Sequence, residues 1–174
     1  MPQVWSTDAL AEWCVALDSQ HLPDAVIAEA EDCVLDAIAC AMIGRASPSV
    51  RAVETVAHGK YKSGPTEIWF TGQTLHPIGA AFINATAVSI LDIDDGQRAA
   101  LGHPGAAVVP AALAASSVGE SSGLDLLAAV VAGYETAVRI GAGEQRKAYH
   151  TGNWSSFGAA TAAARLAGLD AEGH

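Results

Sequence analysis

Aromatic residues are scarce in this 174-residue chain, 6% of the total, and charged residues make up only 16%. Nine basic residues stand against 19 acidic ones, a net charge of −10 with the histidines neutral. Phosphate backbones are held by clustered Lys and Arg, so this balance argues against nucleic acid as a partner. The cysteines, Cys14, Cys33 and Cys40, are odd in number and have no short paired spacing. They form no disulfide framework and, without a C-x-x-C pair, no zinc or iron–sulfur ligand set. They read as small core residues. The start, Met1-Pro2-Gln3-Val4-Trp5, lacks the basic residues and apolar run of a signal peptide. Ala99 to Gly119 is uncharged apart from His103, but its two prolines, interior glycines and many alanines make a poor membrane span. The expectation is a soluble, cytoplasmic protein that binds no membrane.

Alanine is what the chain has in plenty: 37 residues. With 51% hydrophobic residues the chain is too apolar to be disordered. It has too few β-branched and aromatic residues for a β-sandwich, and small side chains favour closely spaced helices. The pattern predicts helices throughout. Ser6 starts a first short one toward Ser19, with Trp5, Leu10, Trp13 and Leu17 as its apolar side. Pro23 opens a long one to Gly44, with Val26, Ile27, Ala30, Val34, Ala37, Ile38, Ala41 and Met42 at helical spacing. Ser47-Pro48 is an N-cap and first-turn proline for a helix to Gly59. Glu67 to Phe70 is a strand fragment or extended connector. Further helices run from Pro77 to about Leu91, from Pro104 to about Val118, from Leu124 to Ile140 and from Trp154 to Leu166. Gly168 closes the last of them. The reading is a single all-α domain over 1–174. Leu169-Asp170-Ala171-Glu172 looks like a new N-cap and first turn, so the domain is expected to continue beyond this sequence.

Two segments could carry chemistry. Asp92, Asp94 and Asp95 gather where a helix ends, although carboxylates meet the unfavourable end of the dipole there. An Asp-rich loop by itself is commonly solvated or caps a helix. His103 stands before Pro104 and is read as the N-cap of the next helix, so the Gly105 and Ala106 N–H groups would face the same space as its imidazole and could bind an anion. The second segment is His150-Thr151-Gly152-Asn153 with Arg146 and Lys147 upstream, a local concentration of positive charge. Two histidines, two helix N-termini and a basic pair suit a small molecule with several carboxylates. Asp92 could serve as general base or orient a histidine. His21, His58, His76 and His174 have no such neighbours and read as surface residues. A calcium loop starting at Asp92 would need Gly at its sixth place and Glu at its twelfth, where Gln97 and His103 stand.

These segments resemble the MmgE/PrpD family. The matching text is Gly79-Ala80-Ala81-Phe82-Ile83-Asn84-Ala85-Thr86-Ala87, Leu91-Asp92-Ile93-Asp94-Asp95-Gly96, Gly102-His103-Pro104-Gly105 through Ala114, Gly133-Tyr134-Glu135, and Phe157-Gly158-Ala159-Ala160 through Asp170. The resemblance covers most of the chain from Pro23 onward. It implies an α-helical domain in a homodimer, followed by a smaller lid domain. It also implies lyase or isomerase chemistry (dehydration, decarboxylation or epimerisation) beside a carboxylate of a small polycarboxylate, with no metal and no organic cofactor. Asp92, His103 and His150 match the family's active-site positions, while its lysines lie further along than this sequence reaches. Gln97 stands where a histidine is common, Gly105 replaces a serine, and the stretch from His150 to Phe157 is one residue shorter. The non-enzymatic alternative is a helical dimerisation or scaffold module derived from that family; a metal site on the aspartates is a third.

Overall fold

The structure, a computed structural model, describes residues 6–143 and 153–173. The helices are α1 (Ser6–Ala16), α2 (Asp24–Gly44), α3 (Pro48–Lys60), α4 (Pro77–Ser89), α5 (Gly105–Ser116), α6 (Gly123–Gly143) and α7 (Asn153–Leu166). The all-α expectation holds with one addition. Strands β1 (Thr66–Ile68) and β2 (Gln73–Leu75) form an antiparallel hairpin between α3 and α4. Its turn needs positive φ at Phe70 and Gly72.

Local signals set the helix ends. Ser47 accepts the Ser49 N–H at the start of α3. His76, expected at the surface, is half-buried, caps α4 by accepting the Ile78 N–H and stacks on Tyr61. Gly168, at φ +69°, turns the chain out of α7. Asp170 then accepts the Gly173 N–H in the single turn that follows.

α5 is the central helix. It packs against α2, α4, α6 and α7, and seven of its residues, Gly105, Ala106, Val108, Val109, Pro110, Ala112 and Ala114, are buried. The deepest positions of its neighbours are small. α6 buries Ala128, Ala129, Val130, Ala132, Gly133, Thr136, Ala137 and Gly141, whereas the larger Leu126, Leu127 and Tyr134 are only half-buried. Likewise α2 buries Ala30, Ala37, Cys40, Ala41 and Gly44 and leaves Met42 exposed. In α1 the buried residue is Cys14, with Trp13 on the outside. Large side chains hold helices apart, so where backbones approach closely the small ones occupy the contact.

The α6–α7 crossing is the tightest case. A Cβ on Gly158 would strike the Gly133 carbonyl oxygen, and one on Gly133 would lie 2.8 Å from the Gly158 carbonyl oxygen. Arg165 of α7 donates to the carbonyls of Cys14 and Leu17, tying α1 to the same helix. Among the described residues α6, and not the Ala99–Gly119 stretch, is long and apolar enough to cross a membrane. In this fold α6 packs against α2, α5 and α7.

Candidate active site

The connection from α4 to α5 builds the site. It is closed on itself by a bridge between Gln97 and Gly102, with the Gln97 N–H 2.8 Å from the Gly102 oxygen. Asp92 (φ +54°) and Leu101 (φ +54°) sit in the left-handed region, which Asp tolerates better than Leu. The loop is docked on three sides. Asp36 of α2 accepts the Asp95 N–H at 2.9 Å. The Asp95 carboxylate accepts the Gly105 N–H at 3.0 Å. Gly102 lies under the buried Trp154 ring of α7, where a Cβ would be 2.6 Å from Cζ2.

These contacts correct the expected cap. Helix α5 begins at Gly105 with Pro104 in the cap position, and the capping side chain is that of Asp95, not His103. The Gly105 N–H, expected to be free for an anion, is therefore occupied. The Tyr134 hydroxyl lies against the Asp95 carboxylate and the Cys33 thiol, close enough to affect their ionisation though outside ordinary hydrogen-bond geometry. Burial pushes the Asp95 carboxyl above the usual range; the Tyr134 hydroxyl and the Gly105 N–H oppose this and Asp36 adds to it. Burial also pushes the Tyr134 phenol well up, so it stays protonated.

His103 is held at both ring nitrogens. Nδ1 lies 2.8 Å from the Asp95 carbonyl and 3.1 Å from the Asp94 carbonyl. Both are acceptors only, so Nδ1 carries a proton and donates it. Nε2 faces Asp92 Oδ1 at 3.2 Å. Burial opposes the charged imidazole. The Asp94 carbonyl, the Asp94 carboxylate, the Asp95 carbonyl and Asp92 together outweigh it and raise its pKa. Asp92 is exposed on the rim, whereas Asp94, whose side chain is 1% exposed, is buried behind the ring. Asp94 was expected to be solvated or to cap a helix; it does neither.

Asp92, Asp94 and His103 line one wall of a cleft of about 370 Å³. Thr86 and Ser89 of α4, Ala106 of α5 and Trp154 and Ser155 of α7 complete it. The sequence-expected Asp92, His103 and Ala106 thus meet in one place, while Arg146, Lys147 and His150 lie outside the described residues. Asp36, Tyr134 and Trp154 went unread in the sequence as parts of the site. The sequence signal for Asp36 was a carboxylate standing alone in the apolar second half of α2, between Cys33 and Gly44. One ligand atom from each of Asp92, Asp94 and His103 lies within 4.8 Å of the others, a spacing that a cation could use. The donor set fits poorly, because Asp92 approaches Nε2 and Asp94 approaches Nδ1, which is committed to two carbonyls. The carboxylates grip two edges of the ring and do not converge beside one nitrogen.

This helical domain is similar to the MmgE/PrpD N-terminal domain. The model of that family matches residues 8–174, and the chain belongs to it. Among its relatives, cis-aconitate decarboxylase of Aspergillus terreus is 31% identical over 140 residues, covering 78% of this chain and 29% of the relative. The mouse and human cis-aconitate decarboxylases are each 30% identical over 176 residues, covering 94% of this chain and 36% of theirs. The chain spans about a third of the length of these relatives.

Proposed function

We propose that the chain carries the Asp92–His103 part of a cofactor-independent active site that moves a proton beside a carboxylate of a small polycarboxylate, as in a decarboxylase acting on cis-aconitate or a closely similar acid. The observation that carries this reading is the 3.2 Å contact of Asp92 Oδ1 with His103 Nε2 on the wall of the cleft, with Nδ1 fixed by two carbonyls. A ring so held exchanges its proton at one atom only. When a carboxyl group leaves as CO2, the bonding pair stays on the substrate, spread over the conjugated carboxylate, and carbon must then be protonated. The Nε2–H of the imidazolium is a suitable donor, and Asp92 stabilises the charged ring until the proton leaves.

The described lining holds two carboxylates and no Lys or Arg, so a polyanion needs positive charge from elsewhere. Arg146, Lys147 and His150 are the sequence's own candidates, in a cytoplasmic enzyme. The test has two parts. Cis-aconitate should raise the thermal midpoint of this chain, and His103→Ala should remove that effect without loss of helical circular dichroism. In a family-length protein carrying this domain, the same substitution should abolish CO2 release. Wild-type rates in that variant would end the assignment.

The second reading, a homodimerising module, is favoured by a different observation: α2 exposes Leu35, Met42 and Ile43, at 65%, 60% and 58%. A mass by light scattering that stays monomeric at all concentrations would remove it.

A further inference from the structure

Of the three loop carboxylates, Asp94 is the one most completely withdrawn from water, and neither of its oxygens has a hydrogen bond among the described residues. A buried carboxylate with no donor from another described residue is costly to the fold, and an amide or hydroxyl of similar size would sit there at lower cost. Among the described residues the nearest positive group is His103. Asp94 Oδ1 lies 3.8 Å from Nδ1, too far for a hydrogen bond, and the Nδ1 proton is already given to the Asp94 and Asp95 carbonyls. At that separation and with so little water between them, the attraction between the charges is strong.

The other described groups around the ring are less suited to this role. Asp92 is exposed and sits on the opposite edge. Asp95 is turned to α5 as its cap. Asp36 and Cys33 of α2 and Tyr134 of α6 lie behind Asp95, and Cys40 of α2, a neutral thiol hydrogen-bonded to Asp36, faces Asp94 as well. The cleft lining contributed by α4, α5 and α7 is not ionisable.

We propose that Asp94 is a positioning residue for His103: a buried charge behind the Nδ1 edge that keeps the imidazolium form and directs the exchangeable Nε2 proton toward Asp92 and the cleft. Its catalytic meaning rests on the proton-transfer reading above, but its geometry and its test do not. Burial also raises the Asp94 carboxyl itself; its own backbone N–H and then the charge of His103 oppose this, so the two groups titrate against each other.

The test is nitrogen-15 NMR of the histidine rings in this chain as a function of pH, for wild type, Asp94→Asn and Asp92→Asn. Neutral His103 should be the Nδ1–H tautomer in the wild type. In Asp94→Asn its proton affinity should fall about tenfold, about one pH unit. The thermal midpoint above neutral pH should hold or rise, because a costly buried charge is gone. A residue with only a structural role would lower the thermal midpoint and leave the His103 titration where it was. An unmoved titration overturns the proposal whatever the thermal midpoint does. Should Asp94→Asn not fold, the wild-type carboxyl carbon signal of Asp94 decides: it should step at the His103 midpoint, and no step there overturns the proposal. Failure of cis-aconitate to bind would end the proton-transfer reading and leave this result standing.

Discussion

Gly158→Ala tests whether the alanine-rich composition works through backbone contact between helices. The new Cβ would overlap the Gly133 carbonyl oxygen and lie 2.7 Å from Ala137 Cβ and 3.0 Å from Val108 Cγ2. Carbon atoms in contact sit at about 3.5–4.0 Å, and the obstructing oxygen belongs to a helix backbone that cannot rotate aside. Helix α7 must therefore back away from α6. Overpacking of this kind costs about 1–3 kcal/mol, and more where backbone must move. Alanine returns up to about 1 kcal/mol through its better helix propensity. The net expectation is a loss of about 2 kcal/mol, or a thermal midpoint lower by about 4–8 °C for a domain of this size. Gly59, helical and with nothing within 4 Å of an added Cβ, is the internal control. There the same substitution gains propensity without a clash, and stability should rise by up to about 1 kcal/mol. Urea unfolding of both variants checks the pair. Equal or greater stability in Gly158→Ala would refute close backbone packing at this crossing.

The loop that carries His103 should respond to its docking residues. Asp36→Ala leaves the Asp95 N–H without its acceptor and should cost about 1–3 kcal/mol in urea unfolding, whereas Asp36→Asn keeps an acceptor oxygen and should lose much less. Asp95→Ala removes the cap of α5 and should cost about 1 kcal/mol. The pKa of His103 is raised on folding. Its stabilisation is therefore fully present below the unfolded value of about 6.5 and is lost as pH rises through the folded value. The thermal midpoint should fall over that window, and His103→Asn should remove this part of the slope; identical slopes in both proteins would contradict it.

The helices were legible because their signals are local. Proline at the first turn, a serine cap at Ser47, glycine after α7 and apolar spacing each act within a turn or two of the residue concerned. The pairing of Asp92 with His103 was legible for a related reason, since both lie in one short connection and neither residue type stabilises that position cheaply. The buried faces were less so. Spacing weights large side chains, so Met42 and Trp13 read as core, while the packed surfaces are the alanine and glycine rows whose hydrophobicity is weak.

Capping at α5 was misassigned for a different reason. His103 is adjacent in sequence to the helix start, but the carboxylate that reaches the Gly105 N–H comes from Asp95, brought back by a closed loop. Composition and local pattern thus determined by themselves that this chain is a closely packed helical domain and that Asp92 and His103 share the connection between α4 and α5. The tertiary structure alone decided that Asp94 is buried, that Asp36 and Trp154 brace the loop, and which nitrogen of His103 faces the cleft. Those depend on contacts between residues far apart in the chain, whose distances no local rule of spacing encodes.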